Sequence, residues 1–375
     1  MQSTLANRTT AKTSLAGWLS ANWGLMGLLL LLIAFPFMLA LAEGQSLADV
    51  LANEAGSAKF MQGLLIEVFI LAIYALSYDL ILGVTGLLSF GHAMFCATGA
   101  YFTGIAFKSL GWGVGPTLLG LIGVAVVQAL LFGVVLPRVK GITFALVTLG
   151  LASVFHIVVQ STEMSQWTGA DVGLQGVIAP EWLNSNTARL QLYLLTLLTT
   201  FVVFLIYRRF VDSPTGRVCI AIRENEDRAL MLGYNTFLFK LVALTVASLT
   251  AVLAGFFHTI HQPIVSPNVA GLGWTVAALL IILIGGVGTL SGALIGAAVF
   301  RLLEFFLDRW FGDAANFLLG AVYVVIVLFL PYGIVGTWRL RRMEIAKGRE
   351  RLKKLFGLSS NFDAKNAKNK KSQRN

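Results

Sequence analysis

The side chains able to do chemistry in this chain are few, and most lie where water is scarce. Glu67, Asp79, His92, His156, Arg301 and Glu304 all fall inside long apolar runs. An acid or base at the centre of a membrane helix costs roughly 2.5–3.5 kcal/mol on insertion scales, so each of these groups requires a partner or water. Glu67, His156, His258 and His261 fall in the outer halves of their segments and are read as a polar vestibule, with Glu67 the strongest candidate because His258 and His261 are nearly interfacial. His258 and His261 stand at i,i+3 without a third ligand, which argues against a metal site. Arg301 and Glu304, also at i,i+3, are expected to neutralise each other as a structural pair. No catalytic residue is assigned.

A second set lies in TGLLSFGHAMFCATGAY, residues 85–101. Gly86, Ser89, Gly91 and His92 crowd small and polar residues into a segment otherwise built of oil. Small residues let membrane helices approach closely, and glycines also interrupt a helix, which the bilayer tolerates only where the backbone is buried or lines a cavity. Packing and pathway lining both stay open here. Gly86, Ser89, Gly91 and His92, with Glu67 and His156, form the candidate pathway set. GGVGTLSG (285–292) has a similar spacing and suggests a second copy of the turn later in the chain, as internal repeats in transporters would give.

The elements that position these residues follow from composition. Of 375 residues, 57% are hydrophobic and 12% charged, too little polar material to cover a soluble globule of that size. A span needs roughly 20 apolar residues, and ten segments qualify, near 24–42, 60–81, 88–107, 113–136, 141–160, 191–207, 241–262, 272–287, 290–306 and 315–334. The expected fold class is therefore an all-α integral membrane protein. Residues 1–42 have the look of a secretory leader, but the apolar run exceeds the usual h-region of roughly 7–15 residues, so an uncleaved first span is expected.

The formal net charge of +10 resides in the stretch from Arg339 to Arg374, where 13 Lys/Arg face 3 Asp/Glu. That is a basic tail touching anionic lipid, not a nucleic-acid surface. Cys96 and Cys219 offer no disulfide framework. Basic residues accumulate in cytoplasmic loops. Arg8 and Lys12 place the N-terminus inside, Glu43, Asp49 and Glu54 place the first loop outside, and ten spans return the tail to the cytoplasm. The expected organisation is a cytoplasmic N-terminus over 1–23, a transmembrane domain over 24–335 and a cytoplasmic tail over 336–375.

The longest cytoplasmic loop, 208–240, is more than a linker. Ser213-Pro214 and Asn225-Glu226-Asp227 are helix-start signals and Gly233 is a stop. Two short helices are expected to carry Arg217, Arg223, Glu224, Glu226, Asp227 and Arg228, suited to docking another protein. The chain has no GxxxxGK[ST] phosphate loop, so any ATPase must be a separate subunit.

YALSYDLILGVTGLLSFGHAMFCATGAY (74–101), GRVCIAIRENEDRALMLGYNTFLFKL (216–241) and LIGGVGTLSGALIGAAVF (283–300) together resemble the branched-chain amino-acid ABC permeases. The likeness is to the M-type permease of the high-affinity importer, with a urea-importer permease a near relative, and it covers roughly 60–335. TGADVGLQGV (168–177) resembles a family loop but carries Ala170. The resemblance implies a multi-pass subunit of a bacterial-type inner membrane, working by alternating access with a second permease subunit, two cytoplasmic ATP-binding subunits and an extracytoplasmic binding protein. It implies no cofactor of its own, ATP being used by the partners, and places the 208–240 loop where such permeases dock their ATPases. The alternatives are a urea or short-chain amide permease and, of another class, an ion-coupled secondary transporter using Glu67 or Asp79.

Overall fold

The computed structural model describes residues 23–44 and 56–342. The N-terminal charges, Asp49, Glu54 and all of the basic tail beyond Arg342 lie outside the described residues.

Each of the ten expected segments contains a helix. They are α1 (Trp23–Ala42), α2 (Ser57–Tyr78), α3 (Ala93–Lys108), α4 (Val114–Val135), α5 (Ile142–Gln160) and α6 (Arg189–Asp212). The cytoplasmic loop folds as α7 (Pro214–Glu224) and α8 (Glu226–Met231). Then come α9 (Thr236–His261), α10 (Leu272–Gly285), α11 (Ser291–Phe311) and α12 (Ala315–Phe329), followed by a turn and a helical stretch over 333–342. Among the described residues seven helices are long and apolar enough to cross a membrane, the seventh running from Phe317 through that turn to Arg342. Of the other three expected spans, those at 88–107 and 272–287 are helices of 16 and 14 residues, each adjoining a glycine-rich non-helical turn, and that at 290–306 forms α11, whose charges keep it out of the seven. The chain is an all-α multi-pass membrane protein.

α2 lies at the centre, packed by α1, α6, α9, α10 and α11. Apart from Gln62, Glu67 and Ser77 its length inside the bundle is accordingly apolar on every face, as expected of a helix without a lipid face. α3 crosses α9 at contact distance because neither has a side chain there. A Cβ on Gly99 would strike the Val252 backbone, and one on Gly255 would strike that of Cys96. Hydroxyls supply interhelical bonds in the absence of a hydrophobic force between helices: Thr259 Oγ1 donates to the Ala100 carbonyl at 3.0 Å and Ser248 Oγ to that of Ala125 at 2.8 Å.

α1 docks by a bond its own proline creates. Pro36 has no N–H, so the Leu32 carbonyl one turn earlier loses its helical donor. Tyr193 Oη on α6 donates to that carbonyl at 2.6 Å. A two-residue antiparallel pair joins β1 (Leu174–Gln175) to β2 (Ile264–Val265), an element absent from the helical reading of the sequence.

Candidate functional site

The ionisable residues that share apolar surroundings resolve into two assemblies on opposite sides of the bundle. In the first, Glu67 of α2 faces Arg301 of α11. Arg301 Nε donates to Glu67 at 2.5 Å, its Nη2 makes a second contact with the same carboxylate, and Nη1 reaches Glu304 at 2.8 Å. The i,i+3 pair therefore forms, but it is not self-contained as expected, because Arg301 is shared with Glu67. Gln262 Nε2 donates to Glu67 at 3.2 Å, and His261 Nε2 lies 3.5 Å away.

Glu67, Gln262, Arg301 and Glu304 edge a cavity of about 440 Å³ whose remaining wall includes Ile70, Leu71, Trp274, Leu280 and Phe300. His258 lines it too, with its ring 5.0 Å from that of Trp274. The vestibule read from the sequence thus gathers Glu67, His258 and His261 but not His156. His156 Nδ1 instead meets the Pro267 carbonyl at 3.0 Å and lines a separate cavity of about 300 Å³ with Phe90 and Ser153. The α5 segment that carries His156 packs mainly on the Pro267–Ala270 turn and on α3, away from the α2–α11 face that holds Glu67.

From the Glu67 cavity an aromatic column leads inward along α2. Trp274 packs on Tyr74, and Tyr74 stacks on His92 at 5.3 Å. His92 is fully buried, sandwiched also by Tyr78 and Phe95. Its Nε2 is 2.7 Å from Ser77 Oγ, which itself donates to the Tyr74 carbonyl, so Nε2 is the donor and Nδ1 is left as an unpaired buried acceptor. Thr275 Oγ1 of α10 accepts from the Ala93 N–H at 3.0 Å, filling the start of α3. Trp274, Thr275 and Tyr74 were not among the residues singled out; their signal was polar atoms in otherwise apolar helices.

The glycines of 85–101 resolve towards packing. A Cβ on Gly91 would run into the Thr148 backbone, and Gly86 has φ +78, a conformation that side chains resist. Ser89 contributes its carbonyl, which accepts from Tyr78 Oη at 3.1 Å. None of Gly86, Ser89, Gly91 and His92 lines the cavities described here.

The second assembly is at the opposite end of α2. Residues Asp79–Val84 widen into a π-turn, a distortion frequent at functional sites. Asp79 is fully buried and accepts from the Gly288 N–H at 2.6 Å and the Leu290 N–H at 3.2 Å. The two glycine turns that look alike in sequence therefore pack against each other. Arg223 of α7 donates to the Gly83 carbonyl and lies against Gly86 and Gly288, where a Cβ would come within 2.9 Å of it. One loop arginine thus touches both turns.

The rest of the loop is built as its caps require. Ser213 Oγ accepts from the Gly216 N–H at 3.2 Å, Asn225 Oδ1 from the Arg228 N–H at 2.9 Å, and Gly233 has φ +87. Glu226 is turned inward to Lys240 at 2.5 Å and Thr236 at 3.1 Å, and Asp227 pairs with Lys140 at 3.4 Å. Arg217, Glu224 and Arg228 face outward, and Arg217 also reaches back to the Asp212 carbonyl. Met231 and Leu232 beside them are 87% and 71% exposed. Among the described residues no His, Cys, Asp and Glu cluster could hold a metal ion.

A multi-pass helical bundle with an ordered charged loop braced against broken transmembrane segments defines a membrane permease. The family described as "Branched-chain amino acid transport system / permease component" matches residues 60–329, and the chain belongs to it. It is 27% identical to the high-affinity branched-chain amino acid transport system permease protein LivM of Salmonella typhimurium, over 84% of this chain and 75% of that protein. It is 26% identical to the LivH permease protein of Escherichia coli, over 71% of this chain and 91% of that one. BraD of Pseudomonas aeruginosa, another such permease protein, is 24% identical over the same share of this chain. No solved structure matches the chain. The protein is a branched-chain amino-acid transport permease component of the inner membrane.

Proposed function

We propose that this chain is one permease subunit of an ABC importer that moves branched-chain or related hydrophobic amino acids by alternating access. A second permease subunit completes the passage, two cytoplasmic ATP-binding subunits drive it, and an extracytoplasmic binding protein delivers the substrate. The subunit uses no cofactor of its own.

The observation that carries this reading is the double-sided loop. A loop kept only for topology has no reason to expose Met231 and Leu232 to water, whereas a docking surface does. Its inner side, through Arg223, bears on both glycine turns, so a push from a docked subunit reaches the ends of α2, α10 and α11 directly. Glu67 and its cavity are the part of the passage we assign to this subunit, since an amphipathic chamber edged by two carboxylates and the guanidinium they share suits a zwitterionic head with an aliphatic tail. Asp79 is consumed by two backbone amides, which counts against an ion-coupled transporter working through it.

Co-purification of the intact protein in mild detergent, with an ATPase assay, tests the reading. A second permease and ATP-binding proteins should be recovered, and Glu224→Arg should leave membrane insertion intact while uncoupling ATPase activity from substrate loading. An isolated chain without associated ATPase overturns it.

A further inference from the structure

We propose that the groove between α1, α6 and α11 holds one anionic phospholipid, with its phosphodiester beside Arg208 and Arg339 and an acyl chain in the slot beyond. This does not depend on the transported substrate.

Two cavities are stacked here and share walls. The outer one, about 530 Å³, is lined by Arg208, Asp212 and Arg339 and by the Gly288–Ser291 turn. Among the described residues two guanidinium groups and one carboxylate line it, and planar guanidinium donors match phosphate oxygens. Arg339 Nη2 already reaches Ser291 Oγ at 3.4 Å, which sets it over the start of α11.

Leu25 and Phe204 then form both the floor of this cavity and the entrance to a second, of about 260 Å³, in which Thr200 is the one polar lining residue. Thr200 Oγ1 is spent on the Thr196 carbonyl. On α1 the slot is walled by Leu25, Leu28, Leu29 and Leu32, the i, i+3, i+4, i+7 stripe of one helix face, about 10 Å long at 1.5 Å per residue. It runs from the arginine end of the bundle towards its middle. A free phosphate has no use for such a slot. A lipid whose headgroup is anchored at the charged end must place a chain there, and the cytoplasmic leaflet supplies anionic lipids.

The site adjoins the machinery described above, because Gly288 and Leu290 also bond Asp79 and Gly288 touches Arg223. A lipid bound here holds the turn that the loop arginine pushes.

Native mass spectrometry of the full-length chain in neutral detergent, titrated with phosphatidylglycerol, phosphatidylethanolamine of the same chains and inorganic phosphate, tests this. We expect one phosphatidylglycerol retained at least tenfold better than phosphatidylethanolamine. Retention should fall about tenfold in an R208Q/R339Q variant and, independently, in Ile295→Trp, which fills the slot from its membrane-exposed edge. Both variants keep the basic residues beyond Arg339, so diffuse attraction to the tail would survive them. Equal retention of the two lipids, or unchanged retention in both variants, overturns the proposal. Inorganic phosphate binding as tightly as phosphatidylglycerol, and equally in Ile295→Trp, would assign the site to a free anion and overturn the lipid.

Discussion

At the scale of single residues, the charged groups differ in how much they depend on one another. Arg301 is the hub: removing it leaves Glu67 without its cation and Glu304 without its i,i+3 partner. Arg301→Gln should lower stability by about 2 kcal/mol, the order of a charged hydrogen bond lost in a largely buried site. Glu304→Gln should cost less, since Glu304 is the more exposed carboxylate. Thermal unfolding of the two variants in detergent checks the order, and equal losses would show that Arg301 is not shared. Asp79 makes a sharper case, because Gly288 and Leu290 both donate to it and Asn offers a single acceptor oxygen. Asp79→Asn turns an N–H toward another N–H. It should destabilise by about 1–3 kcal/mol and open the 286–290 turn to proteolysis, which limited digestion would reveal. Leu290 has φ +31, a strained conformation for a branched side chain that the Asp79 bond helps to hold.

At the scale of elements, the helices were legible because each apolar run had to pair its own backbone, and the loop caps were legible because Ser213, Asn225 and Gly233 act on neighbours in sequence. What could not be read was which helices meet. The sharing of Arg301 with Glu67, the separation of His156 from that cluster and the placing of Arg223 against two turns all depend on residues far apart in the chain. The similar spacing of GLLSFGH and GGVGTLSG hinted that the turns correspond, but not that they touch. The glycine stripe illustrates the limit: the sequence favoured packing for the glycines themselves but left the segment with Ser89 and His92 open, and the backbone contacts agree with packing at Gly91 and Gly99. Gly99→Ala should therefore destabilise by about 1–3 kcal/mol, since a rigid backbone and not a flexible side chain blocks the new methyl. Gly123→Ala on α4, with open space around it, should be neutral or gain up to about 1 kcal/mol from helix propensity. Unfolding midpoints of the pair test whether the α3–α9 crossing is as tight as described.

At the scale of the whole molecule, the proposed function assigns docking and transmission to different faces of the same loop, so the two can be separated by mutation. Met231 and Leu232 have almost no contacts within the chain, and replacing both by Ser costs the fold little while removing apolar area from any interface. Arg223 is the reverse case: it lies against Gly83, Gly86 and Gly288 and contributes to the inner bracing, leaving the outward apolar pair untouched. In the reconstituted complex, Met231→Ser with Leu232→Ser should weaken capture of the ATP-binding subunits while the free permease unfolds at an unchanged temperature. Arg223→Ala should retain those subunits yet lose the dependence of ATP hydrolysis on loaded binding protein. Gly86→Ala should resemble Arg223→Ala, because a methyl at φ +78 both strains the turn, by about 1 kcal/mol, and displaces the arginine side chain. If instead Arg223→Ala and the double Ser variant fail in the same way, both losing the subunits, the loop acts as one docking surface and the bracing by Arg223 has no separate part in moving the transmembrane turns.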